Sequence, residues 1–394
     1  MTFPATIEVP EPILDIARTL EKAGFEAWCV GGTLRDILLG HSNTDYDIAT
    51  NATPDQVQRL FPRTVGIGIK YGTVGVLDRS RQLHEVTTFR RDVTTDGRHA
   101  VVAYGVELAE DLARRDFTIN ALAYHPLRRE WRDPFDGAAD LQRGVVRAVG
   151  DPGERFREDY LRILRALRFA ARFDFQIEPG TWQAARTAAS GLAQLSAERV
   201  RDEWYKGLRT ARSIERLVSL WVDVGAAKVW LPELEREQAP SIAKTVPAGD
   251  RDPVLLTALL STAPSTVLRR LKASNAEIDR VLGMERGPEK PDGNDERSVR
   301  RWLAAVGTSA DDLMSLWRSR RGAIPPWSSA AQEIRRRHDP LTRGDLALNG
   351  TDIQALGVTG PRVGQILTEL LERVLERPEL NTREALLEIA RELW

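Results

Sequence analysis

Two aspartates separated by one residue, Asp45 and Asp47, are the side chains best suited to chemistry in this sequence. The segment DYDIAT that contains them is typical of a β-strand, on which residues i and i+2 project from the same face. Two carboxylates directed at one point repel each other unless a cation lies between them. Mg²⁺ prefers oxygen ligands and binds together with substrate phosphates. The spacing therefore predicts a magnesium site, and Glu85, on the strand HEVTTFR, is the best-placed third carboxylate for a two-metal centre.

A glycine pair precedes these carboxylates. Gly31 and Gly32 stand where the short apolar segment AWCV meets the helical pattern TLRDILLG. Without side chains they leave backbone N–H groups open to a phosphate at a helix N-terminus, where the helix dipole favours an anion. Arg35 would add a charge-assisted contact to the same phosphates. A lone Gly-Gly or Asp-x-Asp is common, but the two together on strand, turn, helix and strand are far more specific.

The elements that position these residues alternate along the first 90 residues. A helix over 10–24 is followed by a strand, a helix, the DYDIAT strand and a helix that Thr53 and Pro54 open, and then by two more strands. From about residue 108 helical patterns continue almost to the end, with loops at 287–295 and 322–329. The sequence predicts an α+β fold, with a small mixed sheet in an N-terminal head and an all-α remainder.

Composition narrows the class of protein further. The 394 residues carry a net charge of −1, with 42% hydrophobic and 29% charged residues, as expected for a soluble globular protein of several domains. The single Cys29 excludes an internal disulfide framework and a Cys-rich zinc site, and it suits a reducing cytoplasm. No apolar run approaches the length of a membrane span, and the N-terminus lacks the pattern of a signal peptide. We therefore expect a cytoplasmic protein without a membrane partner.

A longer set of motifs resembles one enzyme family. GGTLRDILLGHSNTDYDIAT is similar to the catalytic signature of the class II tRNA nucleotidyltransferases and bacterial poly(A) polymerases, within the DNA polymerase beta superfamily. Further segments follow in the family's order. Residues 111–125 resemble the ribose-recognition block, 133–150 the head-to-neck connection and 154–169 the nucleotide-template helix. Residues 195–204 resemble the block that braces this helix, and 340–387 resemble the bacterial tail. Together these motifs cover roughly half of the chain.

The resemblance implies an activity and a division of the chain. Residues 1–128 would form the catalytic nucleotidyltransferase head, 129–210 a neck with the nucleotide-selecting helix, and 211–394 a helical body and tail that bind tRNA. The enzyme would add C and A from CTP and ATP to the 3′ end of tRNA without a nucleic-acid template. The RNA 3′-hydroxyl would attack the α-phosphate and release pyrophosphate, with Asp45 and Asp47 holding two Mg²⁺ ions.

The same resemblance implies nucleotide-binding residues. Gly31, Gly32 and Arg35 would hold phosphates, and Arg115 and Asp116 would hold triphosphate and ribose. Asn120 would help to hold either the ribose-recognition block or the ribose. Asp159 and Arg162 would select the base, because a carboxylate accepts and a guanidinium donates hydrogen bonds, which suits C and A and opposes U and G. Arg165 and Arg168 match further family positions. Since Arg168 lies about half a turn from Asp159 on an ideal helix, the alternative for these two arginines is a salt-bridged, solvated face.

An arginine-rich segment near the C-terminus is the candidate RNA-binding surface. Residues 297–337 contain nine arginines against three acidic residues, with Trp302, Trp317 and Trp327 between them. Arginine contacts to phosphate do not depend on base sequence, which suits the acceptor arm of tRNA. The predicted RNA-binding residues are Arg300, Arg301, Arg318, Arg320, Arg321, Arg335, Arg336 and Arg337. The alternative is a solvated helical face over core tryptophans.

Several alternatives remain open at this point. An enzyme that adds only A, a poly(A) polymerase, and a catalytically inactive RNA-binding protein all share parts of this pattern. Residues 90–112, with Arg98 and His99, match the family's flexible loop, whose presence disfavours an enzyme that adds only C. The one His-Asp pair, His338-Asp339, lacks the further histidines of an HD phosphohydrolase and is interpreted as structural.

Overall fold

The computed structural model describes residues 3–41, 45–95, 100–234 and 251–394. The chain divides into two compact units. The first comprises residues 1–244 with 270–272, and the second comprises residues 245–269 and 273–394. The predicted boundaries at residues 128 and 210 stay predictions.

A mixed β-sheet forms the centre of the first unit, as the sequence predicts, and it has seven strands. Its strand order is β3-β4-β5-β2-β1-β8-β9, with β2 and β5 parallel and the other neighbours antiparallel. Strands β6 and β7 form a separate hairpin, and β10 and β11 a short parallel pair. The strands are β1 Trp28–Val30, β2 Asp47–Thr50, β3 Thr64–Gly68, β4 Thr73–Leu77, β5 Leu83–Thr88, β6 Arg90–Thr95, β7 Ala100–Tyr104, β8 Ala123–His125, β9 Glu130–Arg132, β10 Val145–Val146 and β11 Gln176–Ile177.

Helices surround this sheet and follow it in the chain. Helix α3 begins as predicted, with Thr53 accepting a hydrogen bond from the Gln56 amide in a capping box and with Pro54 in the first turn. The helices of the first unit are α1 Glu11–Lys22, α2 Gly32–Leu38, α3 Pro54–Leu60, α4 Leu108–Ala113, α5 Gly137–Arg143, α6 Pro152–Glu158, α7 Leu161–Phe173, α8 Pro179–Thr187, α9 Ala197–Thr210, α10 Ile214–Val224 and α11 Ala226–Trp230. The short strands β9 to β11 interrupt a region that the sequence predicts to be all-helical.

The segment that resembles a single nucleotide-template helix is broken in two. Helix α6 ends at Glu158 and α7 begins at Leu161, because the backbone of Asp159 is extended, with φ −155° and ψ 104°. The Asp159 carboxylate accepts a hydrogen bond from the Leu161 amide at 3.0 Å, a local bond that competes with helix continuation. Asp159 therefore lies at a helix junction and not on a helix face.

One hydrophobic core joins α7 to the sheet. Ala166 and Phe169 of α7 lie in the same buried cluster as Ile48 of β2 and Val86 of β5. Burial of these side chains of the helix and of the sheet removes apolar surface from water, which stabilises the packing of α7 against the sheet. The helix that carries Arg162, Arg165 and Arg168 is thereby fixed relative to the strand that begins at Asp47.

The described part of the chain after residue 250 is helical. Its helices are α12 Pro253–Leu260, α13 Pro264–Arg270, α14 Asn275–Arg286, α15 Glu296–Val306, α16 Ala310–Arg321, α17 Ser328–Arg336, α18 Gly350–Gln354, α19 Pro361–Glu376 and α20 Arg383–Leu393. A separate buried cluster, with Ile353, Ile366 and Leu386 among its members, packs the last three helices together. Among the described residues, no helix has the length and apolar character needed to cross a membrane.

Candidate active site

The aspartate pair lies on the open side of the sheet at the start of β2. Asp45 and Asp47 are exposed, whereas Tyr46 between them is buried and donates a hydrogen bond from its hydroxyl to the Glu8 carbonyl at 2.7 Å. The Thr33 hydroxyl, in the first turn of α2, donates to the backbone carbonyl of Asp45. The alternation of exposed and buried residues agrees with two carboxylates on one face, and the Thr33 contact ties them to the glycine turn.

Glu85 adds negative charge beside this pair. Continuing the parallel register of β2 and β5 by one residue makes Glu85 the neighbour of Asp47, and both are exposed. The protein atoms that surround the Asp47 carboxylate, together with the charges of Glu85 and Asp45, raise its pKa to about 6 against the opposing effect of Arg115. The site therefore concentrates more negative charge than its arginine compensates, which favours binding of a cation.

The glycine turn brings a guanidinium to the carboxylates. Gly31 has φ +85°, and a Cβ atom at this position would lie 3.1 Å from Nη1 of Arg115 and 3.7 Å from Oδ2 of Asp47. A side chain would therefore be strained here by the backbone conformation and crowded by the Arg115 guanidinium. At Gly32 a Cβ would lie 3.2 Å from Nη2 of Arg35. The turn is open on the side where Arg115 and Asp47 meet.

The guanidinium of Arg115 is loosely held. Its Nη1 donates to the Asn120 carbonyl at 3.4 Å and its Nη2 to Asp111 at 3.5 Å, both long for hydrogen bonds. Its Nε is buried and has no hydrogen-bond partner among the described residues. Burial lowers the pKa of Arg115, but a guanidinium keeps its charge at neutral pH. A cation with donors to spare beside a glycine turn fits a phosphate group.

A chain of hydrogen bonds, buried except at its partly buried last link, connects the glycine turn to α7. Arg35 donates to Asp36 at 2.7 and 2.9 Å and to the Asn120 side-chain carbonyl at 2.5 Å. The Asn120 amide donates to Asp116 at 2.9 Å, and Asp116 in turn accepts from Nε of Arg165 at 2.7 Å. The structure thus brings four predicted nucleotide-binding residues together. The buried Arg35 is engaged by protein partners, and its contact with phosphate stays a prediction.

Asp116 is a fixed negative charge within this chain. Burial by itself would raise the pKa of the carboxyl, but the Arg165 guanidinium, the Asn120 amide and the Phe117 backbone N–H lower it to about 2. Asp116 is therefore ionised at neutral pH, and both of its oxygens are engaged. It orients the surrounding donors, whereas its predicted contact with the ribose stays a prediction.

The two predicted base-selecting residues do not pair with each other. Asp159 accepts a hydrogen bond from Arg199 at 2.6 Å, and Arg162 donates to Glu158 at 2.7 Å and to the Arg114 carbonyl at 3.1 Å. Sequence reasoning did not identify Arg199 and Glu158. The signal for Arg199 was its place in the block that resembles a brace for this helix, and Glu158 directly precedes Asp159. Selection of the base by Asp159 and Arg162 stays a prediction.

Arg168 lies inside the contact between α7 and α9. It donates to Glu203 at 2.6 Å, and both side chains are buried. Its guanidinium lies 4.3 Å from the centre of the Phe169 ring. This environment resembles the salt-bridged alternative, although the face is buried and not solvated, and a contact between Arg168 and nucleotide stays a prediction.

The arginine-rich segment of the second unit is largely paired. Arg300 is buried and donates to the Leu375 carbonyl at 2.9 Å and to Asp339 at 3.3 Å. Five more of the predicted RNA-binding arginines form ion pairs with acidic residues: Arg301, Arg320, Arg335, Arg336 and Arg337. Arg318 and Arg321 are exposed and form no ion pair among the described residues. Trp302 and Trp327 are buried, as in the alternative interpretation. RNA binding by this segment stays a prediction.

The hairpin of β6 and β7 occupies the place of the predicted flexible loop. Arg98 and His99 lie outside the described residues. At the base of the hairpin, the Tyr104 hydroxyl donates to the Ile69 carbonyl at 3.3 Å. This bond connects the hairpin to the turn between β3 and β4.

Carboxylates on a mixed sheet beside a glycine turn and a guanidinium define a nucleotidyltransferase, and comparisons with known proteins agree. Residues 27–147 match the family model "Poly A polymerase head domain", and residues 174–238 match "Probable RNA and SrmB-binding site of polymerase A". A CCA-adding enzyme of Lactiplantibacillus plantarum is 36% identical over 99% of this chain and 97% of its own length. One of Limosilactobacillus fermentum is 36% identical over 100% and 98%.

A solved structure extends the likeness to three dimensions. The Bacillus stearothermophilus CCA-adding enzyme in complex with CTP is similar with a TM-score of 0.81 and 32% identity, covering 97% of this chain and 96% of that one. The chain belongs to the family of class II CCA-adding enzymes.

The donor set fits the divalent metal ions that nucleotidyltransferases use. Asp45 and Asp47 offer carboxylate oxygens only, the ligands that hard divalent cations prefer. Within the described ranges, no group of three or more His, Cys, Asp or Glu residues is arranged to hold a metal ion. Substrate phosphates and water would supply the remaining ligands, and Glu85 as a third ligand stays a prediction.

Proposed function

We propose that this protein adds the C and A nucleotides of the CCA sequence to the 3′ end of tRNA. CTP and ATP are the donors, pyrophosphate is released, and no nucleic-acid template is used. The proposal is supported by curated CCA-adding enzymes that align with almost the whole chain. The observation that carries it is that the Arg115 guanidinium and the Asp47 carboxylate lie together beside the side-chain-free turn at Gly31.

The chemistry follows from this arrangement. Asp45 and Asp47, with Glu85, would hold two ions of Mg²⁺, which when bound make the RNA 3′-hydroxyl more acidic and neutralise charge on the triphosphate. Arg115 would hold the triphosphate through its Nη atoms, whose hydrogen bonds to the protein are long at 3.4 and 3.5 Å. The backbone at Gly31 allows phosphates to approach closely. The residues thus place the hydroxyl and the α-phosphate at one point, and positioning is the main requirement of phosphoryl-group chemistry.

Base selection uses Asp159 and Arg162. Cytosine and adenine each present an amino donor beside a ring-nitrogen acceptor, which matches one carboxylate and one guanidinium, whereas uracil and guanine would oppose a carbonyl to the carboxylate. Both residues already have protein partners, Arg199 and Glu158. An incoming base must therefore share or replace these contacts, and Arg199 and Glu158 keep the two side chains in place between reactions.

The chain is divided between catalysis and RNA binding. Residues 1–128 form the catalytic head and residues 129–210 form the neck. Residues 211–394 form the body and tail, which bind the tRNA. In the arginine-rich segment, Arg318 and Arg321 are the exposed candidates for contact with phosphate, since the other predicted arginines are paired. A reaction in the cytoplasm is part of this proposal, since it suits a tRNA substrate.

The deciding experiment offers three tRNA transcripts, ending in the discriminator base, in C and in CC, with CTP and ATP. The expected result is completion of CCA on all three. An enzyme that adds only A would extend the CC transcript alone, and a poly(A) polymerase would continue to add A beyond one residue. Asp45→Asn and Asp47→Asn should each abolish addition while tRNA binding stays near normal. Activity that survives both substitutions would contradict the proposed site.

A further inference from the structure

An exposed aliphatic patch lies on the outer strands of the sheet. It consists of Val65, Ile67 and Leu83, whose exposed fractions are 46%, 46% and 41%. Ile67 and Leu83 converge from β3 and β5 over Gly75 of β4, where a Cβ atom would lie 2.7 and 2.6 Å from their δ carbons. The absence of a side chain at Gly75 thus creates a continuous apolar surface across three strands.

This patch is on the face of the sheet that carries the carboxylates. Leu83 and Glu85 are two residues apart on β5, so their side chains share a face. Gly75 pairs with Glu85 and also with Val65, which extends this face from Glu85 across β4 to β3. Asp47 lies on the other side of Glu85, on β2. The carboxylates therefore have the Arg115 guanidinium on one side and an uncharged apolar surface on the other.

Uncompensated positive charge flanks the patch. Arg63 precedes β3, Lys70 lies in the turn between β3 and β4, and two more cations, Arg79 and Arg81, lie in the turn between β4 and β5. All four are exposed and form no ion pair within the described ranges. The one acidic residue from 61 to 83, Asp78, is engaged by its own turn and by His84 at 3.1 Å. Sites that bind single-stranded nucleic acid combine cations that follow the backbone with apolar, usually aromatic, surfaces that contact the bases, and this patch offers cations and an aliphatic surface.

We propose that the aliphatic patch seats the 3′-terminal nucleotides of the RNA strand, an inference that rests on the proposed function. The triphosphate binds on the side of the carboxylates where Arg115 lies. The RNA strand that carries the attacking 3′-hydroxyl therefore extends from the carboxylates in the other direction, past Glu85. Aliphatic side chains pack against the face of any base without hydrogen bonding to its edge. Such a surface suits the 3′ end of this RNA, because its terminal base changes with each addition. The flanking cations then meet the phosphates of the strand.

The first test is a double substitution, Ile67→Thr with Leu83→Thr, which removes apolar surface but keeps residues that favour β-strands. The KM for tRNA should rise about tenfold, while the KM values for CTP and ATP stay within twofold of the wild type. The matched control is Ile69→Thr, because Ile69 is 41% exposed but packs against Gly66 and not Gly75. An unchanged KM for tRNA, or an equal change in the control, would overturn the proposal. Circular dichroism and thermal unfolding establish that the variants fold.

A crosslinking experiment locates the strand directly. A tRNA transcript with 4-thiouridine at the discriminator position is irradiated on the full chain and digested with trypsin. The crosslink should fall in peptides 64–70 or 82–90, which contain Ile67 and Leu83. A crosslink found only in other peptides would refute binding of the RNA 3′ end to the aliphatic patch. A wild-type dimer that the double substitution converts to a monomer would also refute it, because the patch would then be a dimer interface. Failure of wild-type protein to add CMP would instead reject the proposed function, because the crosslink does not depend on turnover.

Discussion

Substitution of Asp116 by Asn tests whether the buried chain of hydrogen bonds stabilises the site through charge. The pKa of Asp116 is lowered from its ordinary value of 3.8 to about 2. Each pKa unit corresponds to about 1.36 kcal/mol, so ionised Asp116 contributes about 2.5 kcal/mol to the stability of the folded state. Because the Arg165 side chain is about one third exposed, solvent screens this pair, and we expect Asp116→Asn to cost about 1–2 kcal/mol at pH 7.

The pH dependence gives the sign of the effect. A carboxyl whose pKa is lowered by folding stabilises the protein fully above its unfolded pKa, near 4, and this stabilisation is lost as the pH falls through about 2. About half of it should remain at pH 3. The difference between wild type and Asp116→Asn should therefore shrink between pH 5 and pH 3.

Urea unfolding with pulsed hydrogen exchange measures this difference in the free energy of unfolding. Deuterium uptake by peptides from residues 112–125 reports on the first unit separately from the second. The control is Asp223→Asn, an exposed aspartate of the same unit, which should change the free energy of unfolding by less than about 0.5 kcal/mol. A cost for Asp116→Asn as small as that of the control at pH 7 would refute the reasoning. A larger cost that is undiminished at pH 3 would show that the lost charge is not its cause.

Three further substitutions test individual residues. Gly31→Ala places a Cβ atom 3.1 Å from the Arg115 guanidinium on a backbone with φ +85°. This substitution should lower kcat/KM for nucleotide addition at least about tenfold. The control is Gly24→Ala, which has the same φ but no neighbouring atoms within 4 Å of the added Cβ and should leave kcat/KM within twofold of the wild type. Glu203→Gln leaves Arg168 buried without its ion pair and should destabilise the protein by about 3 kcal/mol in thermal unfolding. Its KM for CTP should be unchanged if Arg168 is structural, and a raised KM would assign Arg168 to the nucleotide. Asp159→Ala should increase incorporation of U and G in assays with single nucleotides, and intact selectivity would exclude its role.

The parts of the site that depend on short-range geometry could be predicted from the sequence. The exposure of Asp45 and Asp47 around buried Tyr46 follows from the two-residue period of a strand. The open turn at Gly31 follows from two adjacent glycines between a strand and a helix. Such patterns are set by a few neighbouring residues, so the mixed sheet and the mainly helical remainder were also predicted correctly, apart from the short strands β9 to β11.

Contacts between distant segments could not be predicted in the same way. Asp159 and Arg162 are three residues apart, and helical periodicity places them on one face, but the extended backbone at Asp159 ends the helix. Arg199, the partner of Asp159, is 40 residues away and was selected by tertiary packing, whereas Arg162 pairs locally with Glu158, four residues before it. Arg35 illustrates the same point, since 85 residues of chain separate it from Asn120. The spacing of residues restricts which side chains can meet, but packing decides which of them do.

Charge shows most clearly how packing changes the interpretation of a sequence. The richest run of arginines, 297–337, is largely neutralised by acids, several of which lie outside it in sequence, such as Glu289, Glu372 and Glu376. Residues 61–83 contain only four cations, yet all four are exposed and without an ion pair in the described structure. Because phosphate contacts require charges that the protein has not already compensated, the shorter segment is the stronger candidate for the growing RNA end. A net charge of −1 is thus compatible with an RNA enzyme in which some cations, these four among them, form no ion pair in the described structure.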